Sequence, residues 1–78
     1  MRVKQLRLIV TFHTTTAAMA MEKVCEQKVI PGRLIPVPRD ITAGCGMAWS
    51  APPEARKVIE ETAHEAGIET DGWYELMV

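Results

Sequence analysis

The sequence predicts an α+β domain: a ferredoxin-like βαββαβ two-layer sandwich, with two helices on one face of a four-stranded antiparallel sheet. Three observations predict it. Apolar residues alternate in short extended segments, they recur every three or four positions in two longer segments, and a proline-rich segment suits only a sheet edge. Right-handed crossovers then give the strand order 4-1-3-2. We expect one such domain over residues 1–78.

The first strand and helix follow from a change of period. The run LRLIVTF, residues 6–12, alternates apolar positions at the period of two that is typical of a strand with one core face. Any of the threonines at 14–16 suits a helix N-cap, because a hydroxyl accepts a hydrogen bond from a free N–H of the first turn. The helix is predicted from Thr16 to Gln27, and Pro31-Gly32 ends it.

The middle of the chain is predicted to form two short strands joined by a long connection. Residues 33–38 are extended, and Pro36 cannot donate to a ladder, so this strand is expected at a sheet edge. The connection is Arg39–Gly46, and residues 47–50 form the third strand.

The second helix and the last strand complete the pattern. Pro52-Pro53-Glu54 is typical of a helix start, since proline is tolerated in the first turn and the helix dipole favours an acidic residue there. An amphipathic stripe runs to Ala66, Gly67 is the expected stop, and residues 73–78 form the closing strand.

Length and charge narrow the classes of function. At 78 residues and 47% hydrophobic content the chain builds one marginal core, so we expect a carrier or accessory protein rather than an enzyme with its own deep cleft. The net charge is −1 and the basic residues are scattered, which argues against nucleic-acid binding.

The apolar stretch near the start is too short to span a bilayer or to serve as a signal, so we expect a cytoplasmic protein that does not enter a membrane. Two cysteines without metal-ligand spacing predict free thiols, no metal and no cofactor.

Cys45, between Gly44 and Gly46, is the candidate catalytic residue. The topology brings its loop to the same rim of the sheet as the start of the first helix. Backbone N–H groups around the glycines, the helix N-terminus at Thr14, Arg39 and His13 would each add positive potential there and favour thiolate, the nucleophilic form. These residues are the predicted binding set: Gly44, Gly46, Arg39, His13 and Thr14.

Structural interpretations of the same residues stay open at this point. Cys45 can be a small residue in a tight turn, and His13 can be a local hydrogen-bonding residue rather than a base. Cys25 lies on the apolar stripe of the first helix and is interpreted as packing. A Cys25–Cys45 disulfide is disfavoured in a reducing cytosol.

Two segments, FHTTTAAMAMEK and LIPVPRDITAGCGMAW, resemble the selenium/sulfur carrier protein-like family of small bacterial domains. The matching positions run from a threonine-rich strand end through an Ala-rich helix with Glu22-Lys23 to Pro36, Pro38 and the Cys45-Gly46 pair. The resemblance covers essentially the whole chain. It implies that Cys45 holds sulfur or selenium covalently, as a persulfide or selenosulfide, and exchanges it with donor and acceptor proteins.

Two other classes of function remain as alternatives. A non-catalytic ligand-sensing or protein-interaction module is one, since fold alone does not choose a function. For this reading we expect one sheet face to stay open, with Ile9, a tryptophan (Trp49 or Trp73) and Met77 on it, which predicts a homodimer through that face. Soft-metal transport is the other, and it is disfavoured because the loop has a single cysteine.

Overall fold

A computed structural model describes residues 5–39, 41 and 45–78 of the chain. Six elements follow one another in the predicted order, with a 3-10 turn at Pro53–Ala55 leading into the second helix. They are β1 (Leu6–Thr11), α1 (Thr15–Gln27), β2 (Arg33–Pro36), β3 (Met47–Ala51), α2 (Arg56–Ala66) and β4 (Gly72–Met77). The α+β class is therefore confirmed.

All strand pairings are antiparallel, and the sheet order is β2-β3-β1-β4. Counted from the β4 side, the same neighbours read 4-1-3-2. The strand with Pro36 lies at an edge, as the missing proline N–H requires.

Local signals place the helix ends. Thr14 is the N-cap of α1, and its hydroxyl accepts a hydrogen bond from the backbone N–H of Ala17 at 3.1 Å. Gly67 ends α2 with φ +67°, the left-handed conformation that glycine adopts at little cost. The second helix differs from the prediction at its start, because Pro53–Ala55 winds as a 3-10 turn and the α-helix begins only at Arg56.

Both helices pack on one face of the sheet. The main core joins apolar residues of β1 and β3 to one side of each helix, and all of them are buried. Its members from the sheet and the adjoining Phe12 are Leu8, Val10, Phe12, Trp49 and Ala51, and those from the helical segments are Ala18, Met21, Cys25, Ala55, Ile59 and Ala63.

The other face of the sheet carries a smaller apolar cluster. Ile9 and Ala48 lie there beneath Ile41, a residue of the β2–β3 connection that is only 8% exposed. Half-buried residues of β2, the connection and β4 pack around them: Ile35, Val37 and Leu76. The connection therefore covers part of the face that the helices leave free.

The predicted set of residues on the open face is correct for Ile9, which lies on that face, and wrong for the tryptophan and Met77. Ile9 has no exposed surface, because Ile41 covers it. The pairing of Val10 with Trp49 on one side and Trp73 on the other puts both tryptophans on the helix face, and Met77 lies on that face opposite Leu6. Self-association through this face remains a prediction.

Among the residues that the structure describes, no helix has both the length and the hydropathy that crossing a membrane requires.

Candidate thiol site

Cys45 lies at the end of the β2–β3 connection, just before β3. The connection closes where the Val37 N–H donates to the Gly46 carbonyl at 3.0 Å, and Gly46 has φ +75°. Because a side chain rarely adopts this φ, glycine is required there for the backbone. Apart from its chain neighbours, no atom of the described residues lies within 4 Å of where a Cβ at Gly46 would be.

The Cys45 side chain is partly buried rather than fully free. It packs against the edge of the helix-side core, and its Sγ donates a hydrogen bond to the Met47 carbonyl at 3.4 Å. This contact uses the thiol proton. A Cys45 thiolate would lose the contact and would have to turn toward hydrogen-bond donors elsewhere.

Cys25 is in a different environment. It has no exposed surface, and its Sγ lies 3.6 Å from Met21 Sδ in the core. Burial raises the pKa of the Cys25 thiol above its ordinary value of 9.0, and the nearby charge of Lys28 offsets only part of that rise. A buried neutral thiol is a packing residue, as the sequence indicated.

His13 and Thr14 lie at the same end of the sheet as Cys45. Thr11, the last residue of β1, is opposite Ala48 on one side and Gly72 on the other, so the starts of β3 and β4 meet the start of α1 there. The strand pairing therefore places these segments at the same end of the sheet.

His13 and Thr14, however, contact the turn before β4 and the first turn of α1 rather than the thiol. His13 Nε2 lies 3.5 Å from Asp71 Oδ1, and the Thr14 hydroxyl is occupied as the helix cap. A cavity of about 290 Å³ next to them is lined by residues of α1 and of the turn after α2 and does not include Cys45.

The remaining predicted site residues flank the thiol in sequence. Arg39 is exposed in the turn after Pro38, and the Ile41 N–H donates to the Pro38 carbonyl at 3.0 Å. Gly44 lies outside the described residues. Within the described parts of the chain, the hydrogen bond recorded for Cys45 Sγ is the one to Met47, so the structure brings neither Arg39 nor His13 into direct contact with the sulfur.

Sequence reasoning missed two residues of this region. Ile41 anchors the connection to the sheet, and its signal was a single large apolar residue between Asp40 and Thr42. Asp71 accepts a hydrogen bond from the Thr11 hydroxyl at 3.4 Å and faces His13, a pairing that no local pattern announces.

Fold and site together define a small α+β domain that presents one partly exposed thiol beside a glycine, on the connection between two strands, and keeps its second thiol in the core. A protein-family model described as "Putative Se/S carrier protein-like" matches residues 7–75. The chain belongs to this family, whose match covers both helices and nearly all of the sheet.

Curated proteins and solved structures gave no match to the chain.

Proposed function

We propose that this protein carries sulfur or selenium as a persulfide or selenosulfide on Cys45 and presents it to a partner enzyme. The observation that carries the proposal is the contrast between its two thiols. Within a chain of the carrier-like family, Cys45 is partly exposed on a loop, whereas Cys25 is sealed in the core.

The chemistry needs only one reachable sulfur. The Cys45 thiolate attacks the outer sulfur of a donor persulfide, a new S–S bond forms at Cys45, and the donor S–S bond breaks to release a donor thiolate. In the second step an acceptor nucleophile attacks the outer sulfur and Cys45 leaves as thiolate. No electrons are gained or lost overall. A selenium atom in the outer position follows the same sequence.

The surroundings of Cys45 suit two protein partners in turn. Cys45 is partly exposed, and the neighbouring Gly46 has no side chain to obstruct a bulky donor or acceptor. Loading adds an outer sulfur that carries the negative charge, one bond beyond Cys45 Sγ. Arg39, exposed in the same connection, supplies a positive charge for that anion, and the start of α1 at Thr14 adds its dipole.

We assign His13 a secondary part in this proposal. The Asp71 carboxylate lies 3.5 Å from its ring, so the His13–Asp71 pair adds less positive potential than the Arg39 guanidinium. Gly44 lies outside the described residues, and a part for its backbone N–H and that of Gly46 in holding the anion is included in the proposal from the sequence alone.

The ferredoxin-like assignment of the fold is part of the proposal. It is supported by the strand order, by the antiparallel pairing and by the packing of both helices on one sheet face.

The experiment loads the purified protein with glutathione persulfide and measures its intact mass. We expect wild type and Cys25→Ala to gain about 32 Da, one sulfur, and Cys45→Ser to gain none. Cys25→Ala is the matched control, since it removes the other thiol and leaves a small apolar side chain in the core. Loading that survives in Cys45→Ser, or that is lost in a folded Cys25→Ala, contradicts the proposal.

A further inference from the structure

A groove lies at the end of the domain opposite Cys45, between the last turns of α1 and the start of β2. It has a volume of about 460 Å³ and is lined by Glu22, Cys25, Glu26, residues 29–33 and Trp49. That volume is in the range of small-molecule sites. We call it the Trp49 groove. It contains none of the residues assigned to the thiol site.

Trp49 supplies the first sign of a ligand. Its side chain is 3% exposed, and its Nε1 is the one buried side-chain nitrogen or oxygen in the described residues that has no hydrogen-bond partner. Buried donors are nearly always paired, so an orphan on the wall of a groove indicates an acceptor outside the described residues.

The Gly32 backbone packs directly against the Trp49 indole. A Cβ on Gly32 would come within 2.7 Å of Trp49 Nε1, so the indole occupies the space that a side chain at position 32 would take. Gly32 has φ +149°, a conformation that favours glycine. Because the indole nitrogen is buried, an external acceptor would have to displace Gly32 to reach it.

The turn before Gly32 is strained. Val29 has φ +56°, a conformation that costs a β-branched residue free energy, and its side chain is 87% exposed at the mouth of the groove. Strain of this kind is concentrated at binding sites, and here it leaves an apolar side chain available for contact.

Opposite charges face the groove from its two walls. Glu22 and Glu26 come from α1, one helical turn apart, and Arg33 comes from β2. Among the described residues none of the three has a salt-bridge partner within 4.0 Å, so the two acids and Arg33 do not neutralise each other.

We propose that the Trp49 groove binds a free apolar α-amino acid as its zwitterion. The ammonium group lies against Glu22 and Glu26, and the carboxylate accepts from Arg33 and from the Trp49 indole N–H. The apolar side chain packs on Val29 and the groove floor. This ligand satisfies the orphan donor and both signs of charge at once, which a simple amine, a simple acid or a hydrocarbon does not.

The test is a titration with L-leucine followed by the two indole N–H signals in a ¹H–¹⁵N spectrum. Trp73 is the internal control, since its Nε1 already donates to Thr70 Oγ1 at 3.0 Å. We expect a saturable downfield shift of the Trp49 signal and no change in the Trp73 signal. L-leucine is added up to about 20 mM, which nearly saturates a site with a Kd of about 1 mM. An unmoved Trp49 signal at that concentration overturns the proposal.

Two further ligands test whether binding needs both the ammonium group and the carboxylate. N-acetyl-leucine keeps only the carboxylate, as a peptide C-terminus does, and leucinamide keeps only the ammonium group, as a peptide N-terminus does. We expect each to bind roughly threefold to tenfold more weakly than L-leucine. Equal or tighter binding of either one overturns the proposal in favour of a peptide end.

Variants of the charged residues test which side chains bind the ligand. Glu22→Gln with Glu26→Gln, and separately Arg33→Gln, are expected to weaken L-leucine binding by roughly threefold to tenfold. Glu61→Gln removes one negative charge from an exposed position of α2 outside the groove, and we expect it to bind as wild type does. A uniform response of all three variants contradicts the site. Cys45→Ser is expected to keep full binding, so the result is independent of the carrier proposal.

Discussion

Replacing Ile41 by alanine tests whether the connection that carries Cys45 is held on the sheet. The Ile41 side chain is 8% exposed and lies on Ile9 and Ala48, so the change removes three carbon atoms from an apolar contact. Buried Ile→Ala changes cost about 2–5 kcal/mol of unfolding free energy. A loop residue on a thin apolar layer can relax, so we expect the low end, about 2 kcal/mol.

Urea unfolding followed by circular dichroism measures this loss. Val78→Ala is the matched control, since it shortens an apolar β-branched side chain that is 42% exposed beyond β4, and we expect a change within about 0.5 kcal/mol. Ile41→Val should lie between wild type and Ile41→Ala. A loss below about 0.5 kcal/mol for Ile41→Ala refutes the anchoring of the connection to the sheet, because removing three carbon atoms from a packed, buried isoleucine costs more unfolding free energy than that.

Four further results are expected. Thr14→Ala should lower the unfolding free energy by about 1 kcal/mol in urea melts, whereas Thr14→Ser keeps the cap and most of the stability. Arg39→Ala should slow sulfur transfer from glutathione persulfide without changing the melting curve, and an unchanged transfer rate removes Arg39 from the mechanism. The folded state keeps the raised-pKa Cys25 protonated, so stability should fall as pH rises above 9.0, by up to about 1.4 kcal/mol per unit, and Cys25→Ala should lack this component. Light scattering at tens of micromolar should detect a homodimer, and a purely monomeric protein refutes self-association.

The secondary structure was predictable because its signals are local. The alternation of residues 6–12, the threonine cap and the Gly67 stop each depend on neighbours a few positions away, and all three are present in the structure. The edge position of β2 followed from the chemistry of Pro36 alone.

The face assignments were less predictable because they depend on register. Which side of the sheet Trp49 and Trp73 take is set by their pairing with Val10, and a shift of one residue reverses it. No local sequence pattern predicts that Ile41 packs over Ile9, because the two residues are far apart in the chain.

The candidate site likewise has a part that the sequence predicts and a part that it does not. Sequence spacing singled out Cys45 and set Cys25 aside, and burial agrees with that division. The hydrogen bond of Cys45 to the Met47 carbonyl and the pairing of His13 with Asp71 were not predictable, because each is a matter of side-chain placement within a turn or between strands.

The most direct test of the carrier proposal is the state of Cys45 in protein isolated from cells without reductant. Trypsin separates the two thiols, since Cys45 lies in the peptide 40–56 and Cys25 in the peptide 24–28. We predict a mass increase of about 32 Da for sulfur or about 80 Da for selenium on peptide 40–56, removed by dithiothreitol, and an unmodified peptide 24–28. A peptide 40–56 that carries neither addition, even in cells supplied with sulfide and selenite, contradicts the proposal.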